Sequence, residues 1–265
     1  MNWKDSEFYF AHLPTGPIGK LFSKAENPWD PLCRLRVAIE LHFEKLESTG
    51  TLKTQPDLIL DPLEQLKEGG YFIKESQVLE ADFIDTELFI AVGQGTLLEA
   101  GATIKNHTII GNNCEVRQGA YLRGYLYLGE GCVAGHATEM KHSILISHVE
   151  AGHFSYIGDS ILGSYINLGA GTKISNLEFR SLEQKAQGIL PEMSMHLEGK
   201  KVPIGLKKLG AIIGDGFEAG CNSVIAPMAF VGKECWLYPN QTLLKGVYPA
   251  KGKIKSIESG LSLRL

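Results

Sequence analysis

Residues 98–140 read LEAGATIKNHTIIGNNCEVRQGAYLRGYLYLGEGCVAGHATEM. An apolar residue returns at every sixth position of this stretch: Leu98, Ile104, Ile110, Val116, Leu122, Leu128, Ala134 and Met140. A smaller residue follows most of them four places later, at Ala102, Thr108, Cys114, Ala120, Cys132 and Thr138. An α-helix repeats every 3.6 residues and a half-buried strand every 2, so neither produces this pattern. A three-sided solenoid does. Each coil is three short strands and three turns, about 18 residues in all, and each strand stacks on its equivalent roughly 4.8 Å away.

The same period returns at Ile213, Ala219, Ile225, Val231, Leu237 and Leu243, with Ser223, Ala229 and Cys235 at the small positions. Between the two arrays the coil tightens by one residue: Leu128, Leu145 and Leu162 are seventeen apart, as are Ala134, Ala151 and Leu168. No single coil can bury its apolar side alone, so the whole array is expected to share one core. Cys114, Cys132 and Cys235 fall on inward positions and read as core filler.

The rest of the 265-residue chain sets bounds on function. A net charge of −4 gives no global attraction to nucleic acid or membrane. No apolar run reaches the roughly 18 residues of a membrane span. The start, MNWKDSEFYFAHL, lacks the pattern of a signal peptide. Five cysteines with no Cys-x-x-Cys pair fit a reducing, cytoplasmic setting better than a disulfide scaffold.

Residues 1–80 lack the six-residue period and are expected to form a helical cap region at the open end of the coil, where a strand edge would otherwise be exposed. Asp30-Pro31 reads as a helix start, Leu32, Leu35, Ile39 and Leu46 as its buried side, and Gly50 as its end. Asp61-Pro62 reads as the start of a shorter helix stopped by Gly69-Gly70. The coil is assigned to residues 81–250, with an inserted loop or hairpin at 176–208 and a tail at 251–265. The insertion carries Lys200, Lys201, Lys207 and Lys208, which are either a solvated basic surface or a phosphate site.

Within the repeat, the run HATEMKHSILISHVEAGHFSYIGDSILGSYINLGAGTKISN contains AGH-x-x-Y-x-GD and N-x-GAGT elements. It resembles, from Arg123 to Asn176, the C-terminal glucosamine-1-phosphate acetyltransferase domain of the bifunctional enzymes of UDP-N-acetylglucosamine biosynthesis. The resemblance implies a left-handed parallel β-helix of hexapeptide repeats, so the fold class is an all-β solenoid with a helical N-terminal cap region. It further implies a homotrimer with sites between subunits, acetyl-CoA as co-substrate, an amino-sugar phosphate as acceptor, and no tightly bound metal. Arg123, Lys141, Tyr156 and Asn167 align with the residues that hold the sugar phosphate. His153 aligns with the general base, Asn176 with an Asn near the acyl-transfer centre, and Ala170 with backbone near the thioester.

The repeat supports part of this on its own. Arg123 and Lys141 each follow an inward residue, Tyr156 and Asn167 each precede one, and His153 lies two past Ala151. None of them points into the core, and His136 stacks one coil before His153. Arg and Lys on neighbouring coils suit a phosphate. A neutral His suits proton removal from an amine.

The chain also departs from the family. No Gly-rich nucleotide-binding fingerprint precedes residue 80. The insertion after Asn176 replaces a loop carrying a cofactor-contacting Lys, which leaves Lys207 and Lys208 as candidate cofactor contacts. Gly220 aligns with a Ser that contacts acetyl-CoA, and Tyr238-Pro239 stands where the family has a small Ala. The later run GLKKLGAIIGDGFEAGCNSVIAP, with WLYPN and GVYPA, resembles a group of short β-helix proteins labelled as sugar-1-phosphate nucleotidyltransferases. Two other readings stay open. One is a non-catalytic or regulatory protein that binds a sugar phosphate or nucleotide sugar beside a nucleotidyltransferase. The other is a γ-type carbonic anhydrase, for which His148 and His153 have the right spacing but Asn112 stands near the third position and His107 is the nearest candidate.

Overall fold

The computed structural model describes residues 2–48, 60–62, 69–197 and 200–255. The chain winds into a parallel β-solenoid of about nine turns with helices near its N-terminus. One coil shows the plan. Met140 points inward from the first face, the chain turns at His142, Leu145 points inward from the second face, and the chain turns again at His148. Ala151 points inward from the third face, and a turn at Phe154 returns the chain to the first face at Ile157. His142, His148 and Phe154 all adopt positive φ, as do their stacked equivalents His107, Tyr125, Tyr165 and Ala137. The left-handed backbone conformation thus makes the corners.

The registers confirm the sixfold pattern. Leu122 pairs with Ile104 on one side and Met140 on the other, and Met140 pairs with Ile157. Leu128 pairs with Leu145 and Leu145 with Leu162, which shows the tightened coil directly. The inward residues, Cys114, Cys132 and Cys235 included, form one continuous core and are at most 3% exposed at the repeat positions.

The three faces differ on their outer sides. The first and third carry polar outward residues such as Glu139, Lys173, Glu150 and Glu218. The second carries Ile109, Ile144, Ile161, Ile212 and Phe230, each buried. Its strands therefore read as apolar pairs, such as Ile144-Leu145 and Ile161-Leu162, which is the signature of a strand covered on both sides.

The cover is the N-terminal segment. Helices α1 (Gly16–Ser23), α2 (Asp30–Cys33) and α3 (Leu35–Ser48) lay Ile18, Phe22, Leu32, Leu35, Ile39 and Phe43 against that outer row. Pro31 opens α2 as expected, but the helix breaks at Arg34 before α3 begins. The helices lie along the side of the coil. Its first edge is closed instead by antiparallel strands: Gly70–Ile73 on the first face, Gln77–Val78 on the third and Phe83–Asp85 on the second. The physical reason is the apolar outer row, which the helices remove from water.

Leu60–Pro62 is extended and pairs antiparallel with Gly70–Ile73, so a helix does not begin at Asp61. The residue before a proline is biased toward extended backbone, and strand pairing reinforces that bias here. The remainder of that expected helix, and Gly50, lie outside the described residues. At the other end Lys253–Ile254 still pairs with Trp236–Leu237, so the coil runs to Ile254.

The insertion leaves the coil after Asn176 at the first-to-second-face corner and rejoins it at Leu209, whose N–H donates to the Asn176 carbonyl at 3.2 Å. It holds helix α4 (Leu182–Ala186), with a capping box formed by Ser181 and Gln184, and a hairpin of Ser194–Leu197 with Lys200–Pro203. Met193, Met195 and Ile204 fold back among the N-terminal helices on the second face.

Candidate functional site

The corner between the first and second faces carries a cleft of ≈ 240 Å³ lined by Arg123, Gly124, Tyr125, Lys141, His142 and Asp159. Arg123 and Lys141 arrive there because each is one residue past the stacked inward pair Leu122 and Met140. They stand on neighbouring rungs with their stems alongside. Arg123 Nη1 is held by Glu139 Oε1 at 2.6 Å. Both partners are about two-fifths exposed, so this pair orients Arg123 more than it stabilises the fold.

Asp159 is the hub on the neighbouring rung. Its carboxylate accepts from His142 Nδ1 at 2.7 Å and from the Asn176 side-chain amide, and Lys141 Nζ lies 4.0 Å away. Burial pushes Asp159 upward, but the hydrogen bonds from His142 and Asn176, with the charges of His142 and Lys141, hold it below the ordinary carboxylate value. It is an ionised carboxylate in a nearly closed site.

Tyr156 and Asn176 lie behind the cleft, where the Asn176 amide donates to Asp159. Gly158 stands in register with Lys141 one rung away. A Cβ at Gly158 would meet Tyr156 Oη at 2.6 Å and Asn176 Nδ2 at 2.8 Å. The bare glycine thus lets both polar groups lie across it, beside Lys141. Burial, followed by the nearby Asp159 and Glu139 charges, raises the Tyr156 phenol above its ordinary value, so it remains a protonated donor. Two cations, a phenol and an amide converge here, a set suited to a phosphate and the hydroxyls around it.

The other expected residues lie elsewhere on the single chain. His153 stands in register with His136 at the corner between the third and first faces, with its ring 6.4 Å from that of Phe154. It precedes the strand Tyr156–Gly158, whereas Lys141 flanks the far end of that strand. Asn167 is on the third face, where its amide donates to Glu218 at 3.0 Å. A groove of ≈ 390 Å³ on that face is lined by Asn167, Gly169, Gly220, Cys221, Trp236 and Tyr238. Ala170 lies beside it, its carbonyl accepting from Asn222. A Cβ at Gly220 would sit 2.4 Å from the Pro239 nitrogen, so no larger residue fits there. Arg123, Lys141 and Tyr156, the residues that the resemblance implies for a sugar phosphate, therefore lie in one neighbourhood with Asn176. Asn167, Ala170 and Gly220 belong to a separate face, with His153 at the corner between.

Lys207 and Lys208 sit at the neck of the insertion, directly before Leu209, and so return close to Asn176 along the chain. Lys200 and Lys201 are on the exposed hairpin strand, away from that neck.

The histidines proposed for a metal do not converge. His107 packs between Phe89 and Tyr125 at the first-to-second-face corner and bonds to Glu40. His148 stacks on Tyr165 at the second-to-third-face corner, with ring centroids 4.8 Å apart. His153 is at the remaining corner. Among the described residues no group of three or more His, Cys, Asp or Glu could hold a metal ion.

Sequence reasoning missed Asp159 and His142. Asp159 lies inside the Y-x-GD element, and its place one rung from Lys141 is readable from the 17-residue coil. No helix among the described residues is long and apolar enough to cross a membrane.

No family model matches the chain. Individual proteins do. It is 31% identical over 168 residues to a bifunctional sugar-1-phosphate nucleotidylyltransferase/acetyltransferase of Sulfurisphaera tokodaii, covering 57% of this chain and 40% of that protein. It is 34% identical over 118 residues to the bifunctional protein GlmU of Methanocaldococcus jannaschii, covering 44% of this chain and 26% of that protein. It is 26% identical over 206 residues to the bifunctional protein GlmU of Trichormus variabilis, covering 74% of this chain and 37% of that protein. The chain thus spans two-fifths or less of the length of these curated relatives. Its relatives are bifunctional GlmU and sugar-1-phosphate nucleotidylyltransferase/acetyltransferase proteins, in keeping with the resemblance carried by residues 123–176.

Proposed function

We propose that the protein transfers an acetyl group from acetyl-CoA to an amino-sugar phosphate such as glucosamine-1-phosphate, in nucleotide-sugar biosynthesis. The observation that carries this reading is that Arg123 and Lys141 line one cleft with Asp159, while Tyr156 and Asn176 meet over Gly158 on the adjoining rung. The phosphate meets Arg123 and Lys141, and Tyr156 and Asn176 meet the sugar. His153 takes the proton from the attacking amine. Asn176 or backbone N–H groups near Ala170 stabilise the oxyanion. Acetyl-CoA lies along the third face past Gly220, with Lys207 and Lys208 as candidate contacts for its phosphates.

His153 and Asn167 stand on other parts of the single chain, so the complete site requires neighbouring copies. A homotrimer in the cytoplasm, as the resemblance implies, is the assembly proposed. It places the third face of one copy against the cleft of the next.

A second reading is favoured by one observation: the close fit of Gly220 against Pro239, beside the bulky Tyr238, narrows the acyl-donor side. In that reading the protein binds a sugar phosphate or nucleotide sugar without turnover, next to a separate nucleotidyltransferase. Thermal stabilisation separates the two, because a ligand of the folded state raises its melting temperature. Stabilisation by acetyl-CoA supports the transferase. Stabilisation by UDP-N-acetylglucosamine alone supports the binding protein.

A further inference from the structure

His142 makes two hydrogen bonds that join distant parts of the chain. Nδ1 faces Asp159 Oδ1 at 2.7 Å, and Nε2 faces the Leu32 carbonyl at 3.0 Å. Leu32 is in α2 of the N-terminal helical layer. Both partners are acceptors: a backbone carbonyl and the Asp159 carboxylate. Both bonds are made together only by a ring with a proton on each nitrogen.

The cleft explains why such a ring matters. A carboxylate that is only 7% exposed, 4.0 Å from Lys141 Nζ, opposes any anion that Lys141 is to hold. A doubly protonated His142 beside Asp159 forms a neutral pair with it, and the positive charge of Lys141 is then available to a phosphate. The Leu32 carbonyl fixes the ring in the orientation that does this.

We propose that His142 is a positioning residue of the anion site. It neutralises and orients Asp159, and its second bond makes the N-terminal helical layer a working part of the cleft. The proposal rests on the reading of the cleft as a phosphate site.

The test is calorimetric titration of the full-length protein with glucosamine-1-phosphate and, separately, with inorganic phosphate. His142→Ala weakens both by roughly tenfold, the size of one partly screened charge contact. Adding Asp159→Asn to His142→Ala removes the uncompensated carboxylate and restores binding to within about threefold of the parent. A merely structural histidine gives no such rescue. His142→Gln keeps the bulk and one donor without the charge, and shows the same loss and the same rescue even if His142→Ala folds poorly. Unchanged binding in both His142 variants overturns the proposal, as does a double variant as weak as the single one. If Arg123→Ala and Lys141→Ala also leave phosphate binding unchanged, the phosphate reading of the cleft fails and takes this inference with it. If they abolish binding and the His142 variants do not weaken it, only this inference fails.

Discussion

Arg123 and Lys141 occupy the same position on neighbouring rungs, each one residue past the stacked pair Leu122 and Met140, and both line one cleft. Their spacing is fixed by the strand separation of the coil and not by any loop. Two cations held this way are pre-organised for an anion, and little side-chain freedom is lost when it binds. Replacing either by Ala is expected to weaken glucosamine-1-phosphate binding by about ten- to a hundredfold while leaving the melting temperature within a few degrees. The binding of the parent protein should also weaken as salt is raised through 0.5 M, measured by calorimetry.

Gly158 tests the shape of the cleft without touching its charge. Its φ lies outside the left-handed region, so alanine is compatible with the backbone. The added methyl meets the end of the Tyr156 side chain, at Oη 2.6 Å and Cζ 3.0 Å, and Asn176 Nδ2 at 2.8 Å. Gly158→Ala is expected to displace those two groups, lowering affinity for the sugar phosphate by roughly tenfold with a stability loss of about 1–3 kcal/mol. Parallel titration and denaturant unfolding separate the two effects.

Asp159 makes acid sensitivity predictable in sign. Its carboxyl is held below the ordinary value in the folded chain, so its contribution is fully present above the ordinary aspartate value. That contribution is lost as pH falls through the lower, folded value. Asp159→Asn is therefore expected to cost about 1–3 kcal/mol at neutral pH, and the difference from the parent should shrink and disappear in strong acid. Urea unfolding of both proteins from pH 7 to pH 3 measures it.

Ile161 reports on the cover over the second face. It points away from the coil and is fully buried against the N-terminal helices and the inserted hairpin. Ile161→Ala is expected to destabilise the protein by about 2–5 kcal/mol, as for an interior cavity. A surface position would change by less than about 0.5 kcal/mol. Denaturant midpoints decide between the two.

The inward residues were legible in the sequence because their period is strict: Leu128, Leu145 and Leu162 gave the shortened coil before any register was known. Cys114, Cys132 and Cys235 were readable as core for the same reason. The outer row is recorded only in the apolar pairs Ile144-Leu145 and Ile161-Leu162, and two adjacent apolar residues break no six-residue period, so the covered face is not legible from the repeat. The helices therefore lie along a flank where an end cap was expected. Asp61-Pro62 misled because an Asp before Pro suits extended backbone as readily as a helix start. Of the site, Arg123, Lys141 and Tyr156 followed from the resemblance, and the period of the coil added only that none of them points into the core. The tie from His142 to Leu32 followed from neither, since 110 residues separate them and no local pattern links a turn histidine to a helix carbonyl.

Release of free thiol from acetyl-CoA in the presence of glucosamine-1-phosphate tests the central claim most directly. The transferase reading predicts turnover that requires the amino-sugar phosphate, that His153→Ala eliminates, and that Arg123→Ala lowers mainly through KM. No thiol release above the rate without acceptor, across a panel of amino-sugar phosphates at saturating acetyl-CoA, would contradict it.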